Sequence, residues 1–232
     1  MHLVILFIFL FLIGILLFFT CHKIDIYTKK SKKKGPKILL VGGTHGNEPS
    51  GYLALLRIQN ALKQGRLKLK SGEITIIHNV NPCGYYLDNR HYNIVGKDID
   101  LNRMYGKNFP INNKIEPIID KYDIVIDFHE GWGFISEKEG SIGSSIQAIN
   151  VPKHHYDNIL KIINSDISLD YKKWELNTRR IISNTLRDYC IRKKKKYILV
   201  ETSGQNNIQA MNVRIDQNLK IINYILTKYK VL

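Results

Sequence analysis

The chain has 232 residues, enough for one domain with a hydrophobic core and too few for two comfortable ones. Its formal charge of +15 comes from 35 Lys and Arg against 20 Asp and Glu. The lysines cluster between Lys29 and Lys34 and between Arg192 and Lys196, and do not interleave with aromatics along one helix, so no nucleic-acid partner is expected.

From Leu3 to Phe19 every residue is apolar apart from Gly14. At about 1.5 Å per residue such a run nearly matches the ~30 Å hydrocarbon core of a bilayer. No Lys or Arg precedes it and no small-x-small site closes it, which reads as an uncleaved transmembrane helix over residues 1–21 and not as a cleaved signal. Residues 22–36 then read as a basic linker carrying Lys23, Lys29, Lys30, Lys32, Lys33 and Lys34. Lysines just after a membrane span place the following domain on the cytoplasmic side of a single-pass membrane protein, where they can rest on anionic headgroups. Cys21, Cys83 and Cys190 show no CxxC spacing and are expected as thiols.

From Lys37 the pattern changes, and residues 37–232 read as the catalytic domain. Lys37 to Val41, Ile74 to Val80, Ile124 to Phe128 and Tyr197 to Val200 are short Ile- and Val-rich runs bounded by turn residues, and read as buried strands. Helices are expected over Pro49 to Gln64, Asn112 to Lys121, Lys153 to Ile163, Asn177 to Lys193 and Ile208 to Lys228. This alternation predicts an α/β fold, a mostly parallel mixed sheet flanked by helices, with the transmembrane helix ahead of it.

In such a sheet the chemistry lies beyond the carboxyl ends of the strands. The first strand runs into GGTHGNEPSG, the third into HEGWG and the fourth into ETSG, so three strand ends each deliver a His or a Glu. His45 and Glu48 sit three apart in a turn that enters a helix at Pro49, a residue suited to a first helical turn. With His129 they make a two-His, one-carboxylate set that leaves a position open for water, the pattern of catalytic zinc, one ion per chain. Alone, HxxE is a weak signal. Glu201, at another strand end, adds a carboxylate able to take a proton from bound water and return it to a leaving nitrogen. Alternation along the strand is read as placing Asp127 and Glu130 on the side away from His129. Trp132 and Phe134 follow that strand, and His78, His91, His154 and His155 stand outside the motifs as surface or core histidines.

The ordered runs GGTHGNEPSG, NPCGYYLDNR, DIDLNR, DFHEG and VETSG resemble the zinc carboxypeptidase superfamily, and within it the succinylglutamate desuccinylase and aspartoacylase branch. The resemblance spans Lys37 to Gly204 and implies a zinc exopeptidase-like fold. It implies that His45, Glu48 and His129 bind zinc and that Glu201 is the general base and acid. It implies further that Arg90 polarises the scissile carbonyl, that Asn102 and Arg103 hold a free carboxylate, and that Asp100 orients a zinc histidine. Members of the branch usually continue past the catalytic glutamate into a β-rich domain, whereas only about one helix follows Gly204 here, which predicts a more open cleft.

The function this implies is hydrolysis of the amide bond of an N-acyl amino acid, by a desuccinylase- or aspartoacylase-like deacylase. The alternative within the enzyme class is a carboxypeptidase or cell-wall peptide amidase. The substrate in either case is a small molecule or peptide with a free carboxylate. The alternative outside that class is a non-catalytic binding module.

Overall fold

A computed structural model of the chain describes Phe7, residues 23–94 and residues 96–232. Its centre is a seven-stranded sheet in the order β1-β3-β2-β6-β9-β7-β8, with a separate β4-β5 hairpin. The strands are β1 Tyr27–Lys30, β2 Lys37–Gly42, β3 Glu73–Ile77, β4 Tyr92–Ile94, β5 Lys97–Ile99, β6 Ile124–Gly131, β7 Ser145–Ile149, β8 Glu175–Leu176 and β9 Lys196–Ser203. The helices are α1 Pro49–Lys63, α2 Pro82–Tyr86, α3 Pro110–Ile119, α4 Lys153–Asn164, α5 Leu186–Arg192 and α6 Met211–Lys228. The four strands expected from the sequence are the parallel core β3-β2-β6-β9, and β1 and β7 pair antiparallel on either side of it, against β3 and β9.

Both faces of this core are apolar, as a doubly covered parallel sheet requires. Ile38, Leu40, Ile74, Ile126 and Val200 pack with Leu55 and Ile58 of α1 and Ile222 and Ile225 of α6. Leu39, Val41, Ile77 and Val125 face the other way, against Ile111 and Ile115 of α3 and Leu186 and Cys190 of α5.

Three expectations change. The segment read as a basic linker contains β1, whose four residues register against Glu73–Ile76 and close one edge of the sheet. Its alternation is too short to stand out beside so many lysines, which are themselves usual on an edge strand. The helix expected from Asn177 begins only at Leu186, because the Thr185 side chain caps it by accepting from the Asp188 backbone N–H. Residues 177–185 are therefore a loop. Cys83 is disulfide-bonded, against the expectation of a thiol, while Cys190 is a buried free cysteine. Among the described residues no helix is long and apolar enough to cross a membrane, and apart from Phe7 the run read as an anchor lies outside them.

Helix α1 sits so close to β6 that a Cβ at Gly51 would come within 2.5 Å of the Phe128 Cβ. Gly51→Ala is expected to push α1 off the sheet and lower stability by about 1–3 kcal/mol, read from the midpoint of urea unfolding. An unchanged midpoint contradicts this packing.

Candidate functional site

The carboxyl ends of β2, β6 and β9 lie side by side, with Gly42 opposite Phe128 and His129 opposite Glu201. After β2 the chain turns sharply at Gly43, whose φ of +63° is a conformation that side chains rarely adopt. The next glycine fixes the turn against the loop that follows α2. Gly46 donates its N–H to the Arg90 carbonyl at 3.2 Å. A Cβ there would meet the Gly84 carbonyl carbon at 2.0 Å and the Asn89 oxygen at 2.4 Å. Two motifs distant in sequence thus touch through backbone, with His45 and Glu48 on one and Arg90 on the other.

His45, Glu48 and His129 converge, each at most 3 % exposed, and one ligand atom from each lies within 4.8 Å of the others. Glu48 Oε1 is 2.8 Å from His45 Nδ1, Glu48 Oε2 is 2.8 Å from His129 Nδ1, and the two Nδ1 atoms are 3.1 Å apart. The far nitrogen of each ring faces another carboxylate: His45 Nε2 is 3.2 Å from Asp100 Oδ1, and His129 Nε2 is 3.3 Å from Asp127 Oδ2. A carboxylate thus stands behind each ring, with the Nδ1 atoms turned into the cluster, although His129 Nε2 itself makes no hydrogen bond. Two imidazole nitrogens and a carboxylate, buried and convergent, fit a divalent metal ion.

The electrostatics agree. Burial opposes ionisation of Glu48, yet His45 and His129 hold its carboxyl well below the usual range. Burial likewise opposes charge on His129, and Asp127 and Glu48 override it, raising its pKa well above the ordinary value. Against its own burial, Asp100 is held low by its hydrogen bond with His45 and by the charges of His45, Arg103 and Arg90. Glu201 goes the other way. Burial pushes it up to about 8 against the pull of His129, with the Glu48 charge adding to the rise.

The remaining expected residues are all at this cleft. Arg90 donates from Nη1 to Glu48 Oε1. Asp100 accepts from the Asn102 N–H and so begins the short 3-10 turn Leu101–Arg103. Asn102 and Arg103 reach the cleft wall, where the Asn102 side-chain carbonyl also accepts from the Leu186 N–H at 2.9 Å.

The opposite-side placement of Asp127 is corrected: residues two apart in a strand share a face, so Asp127 lies beneath His129. Glu130 does face away, accepting from the Ser50 N–H and pairing with the buried Arg214. Phe134 is buried and Trp132 is 39 % exposed, and neither lines the cleft.

The cleft, about 230 Å³, is also lined by Arg179, Arg180 and Arg187, which fall inside a helix in the reading of the sequence. Arg187 is buried and donates to the Gln147 side chain and to the Arg180 carbonyl, so it ties the loop 177–185 to the wall. The T-x-x-D pattern at Thr185 and Asp188 is the signal that separates this loop from α5.

These features define an α/β fold with a buried His-Glu-His cluster, able to hold a metal ion, at the carboxyl end of its sheet. Residues 34–134 match the succinylglutamate desuccinylase/aspartoacylase catalytic domain. The fold is that of the cell shape determinant protein Csd4 from Helicobacter pylori, with a TM-score of 0.73 and 20 % identity over 90 % of this chain and 55 % of that one. The mDAP-bound form of Csd4, described as a D,L-carboxypeptidase, superposes with a TM-score of 0.71 at 19 % identity over 89 % of this chain and 55 % of that one. A succinylglutamate desuccinylase/aspartoacylase from Rhodobacter sphaeroides gives 0.62 at 19 % identity, over 90 % and 59 % of the two chains. The chain thus spans little more than half the length of these relatives. No curated protein matches it. The chain is thus similar to the succinylglutamate desuccinylase/aspartoacylase catalytic domain over residues 34–134 and shares its fold with these structures.

Glu48→Gln removes the one anionic donor between the two histidines, and the purified variant is expected to retain less than a tenth of the divalent metal that the parent retains in elemental analysis after dialysis. Parental metal content would place the ion elsewhere.

Proposed function

We propose that this chain is a zinc-dependent hydrolase that cleaves an amide bond next to a free carboxylate, with N-acyl amino acids as the substrate class. The observation that carries the reading is the placement of Glu201 on β9 directly opposite His129 of β6, facing the same cleft as the His45 and Glu48 pair.

His45, Glu48 and His129 would hold the zinc, which when bound polarises a water and the scissile carbonyl. The Glu201 carboxylate takes a proton from the attacking water and delivers it to the departing nitrogen. The Arg90 guanidinium, next to Glu48, donates to the oxygen on which negative charge develops. Asn102 and Arg103 hold the substrate carboxylate, and Arg103 suits that task because its fork matches two oxygens at once. Asp100 keeps the His45 ring turned toward the cluster.

A second reading is a carboxypeptidase or cell-wall peptide amidase. It is supported by the fold shared with Csd4, one form of which is described as tripeptide-bound. Like the deacylase reading, it needs a free carboxylate beside the scissile bond.

Amine release measured across N-acyl amino acids and short peptides separates the two readings by which set is turned over. In either set, amidating the substrate carboxylate or making Arg103→Ala is expected to raise KM at least tenfold, with a smaller effect on kcat. Glu201→Gln is expected to lower kcat by about 10²-fold or more while zinc content stays at the parental level. A glutamine variant as active as the parent removes Glu201 from the reaction.

A further inference from the structure

Helix α1 begins without a cap of its own. Glu48 occupies its N-cap position, yet the Glu48 side chain bonds no backbone N–H of the helix, and its two oxygens are turned to His45 and His129 instead. The first N–H groups of a helix have no partner within it, and an N-cap side chain ordinarily accepts from the second or third of them. Here the acceptor comes from a strand. Ser50, the second residue of α1, donates its N–H to Glu130 Oε1 at 2.6 Å.

Glu130 is fixed for this task. It is 1 % exposed, and its Oε2 accepts from Nη1 of Arg214 on α6, a residue itself 2 % exposed that also donates to the Gly204 carbonyl at 3.2 Å. A Cβ at Gly204 would run into Glu130 Oε2 and come within 2.6 Å of Arg214 Nη1, so the glycine that closes VETSG makes room for the pair. Ser50 is held from the side as well, its hydroxyl 3.1 Å from Thr202 Oγ1 and accepting from Asn218 Nδ2 at 3.2 Å. The Glu130 N–H in turn donates to Glu48 Oε2 at 3.1 Å. One residue thus grips the Glu48 carboxylate by its backbone and the helix behind Glu48 by its side chain.

We propose that Glu130, held by Arg214, is a surrogate N-cap for α1 and thereby a positioning residue that leaves the Glu48 carboxylate free to face the metal. Without it, the partial positive charge at the start of α1 competes with His45 and His129 for the anion already standing at the N-cap. A Glu48 that caps its own helix turns away from the two histidines.

The inference rests on the reading of Glu48 as a metal ligand, and two measurements keep the two apart. Combining Glu130→Met with Arg214→Met removes the surrogate cap without leaving either charge alone in the core. In zinc competition against a chelator this full-length double variant is expected to bind about tenfold more weakly than the parent, with kcat lowered and KM near the parental value. Glu130→Gln keeps an oxygen for the Ser50 N–H and is expected to stay close to the parent. Parental zinc affinity in the double variant, or a glutamine variant that loses as much as the double, overturns the proposal. Should the double variant fail to fold, Arg214→Gln, which loosens Glu130 without removing it, is expected to weaken zinc binding too, and parental binding there is equally fatal. The second measurement needs no metal: a crystal structure of the folded variant without zinc. Its Glu48 carboxylate is expected on the Ser50 N–H, and a carboxylate still lying between His45 and His129 overturns the proposal. A parent that binds no zinc fails the metal reading and leaves that structure to decide what holds Glu48.

Discussion

The parallel pairing of β6 with β2 on one side and β9 on the other is the constraint from which the rest of the molecule follows. All eight residues of β6 are buried, so the strand is held by hydrogen bonds on both edges and by apolar side chains on both faces. Parallel strands finish at the same edge of a sheet, and whatever follows them is delivered to one place. That is how His45, His129 and Glu201, far apart in the chain, come to share one small buried volume. It also explains why glycines dominate the turn after β2: a side chain at Gly46 would occupy the space of the Gly84 and Asn89 backbone.

The site concentrates charge where burial is least favourable to it. Glu48, Asp127 and His129 are almost wholly buried, and Asp127 and His129 each keep a polar atom without a hydrogen bond. Such groups reduce stability unless their partners are fixed, and a centre that binds a cation between them recovers part of that cost. The surrounding packing carries the load. The core clusters on the two faces of the sheet hold the strand ends in register, and the Glu130 and Arg214 pair with Ser50 braces the start of α1 from below.

Much of this is legible in the amino-acid sequence. The four central strands, the start of α1 at Pro49 and the His45, Glu48, His129 and Glu201 set are visible there, because apolar runs that end in polar turns carry a strong local signal. Sequence and structure part where local and long-range signals compete. The stretch after Asn177 has helical composition throughout, but the capping by Thr185 starts the helix at Leu186 and leaves an arginine-bearing loop across the cleft. The edge strand β1 is hidden among lysines, since four residues give too little alternation to read. Asp127 is a different case: the period of a strand is enough to place it with His129, and the expectation of the opposite face misapplies that period.

By itself the sequence determined the fold class, the donor types and the order in which they meet the sheet, because hydrophobic periodicity and turn residues act locally along the chain. Only the tertiary structure decided which carboxylate stands behind which histidine, that Tyr197 reaches Asp127 from a neighbouring strand, and that Arg179, Arg180 and Arg187 share the cleft with Arg103. Those contacts depend on strand register and on where a loop crosses, and register is set by packing among all the strands at once.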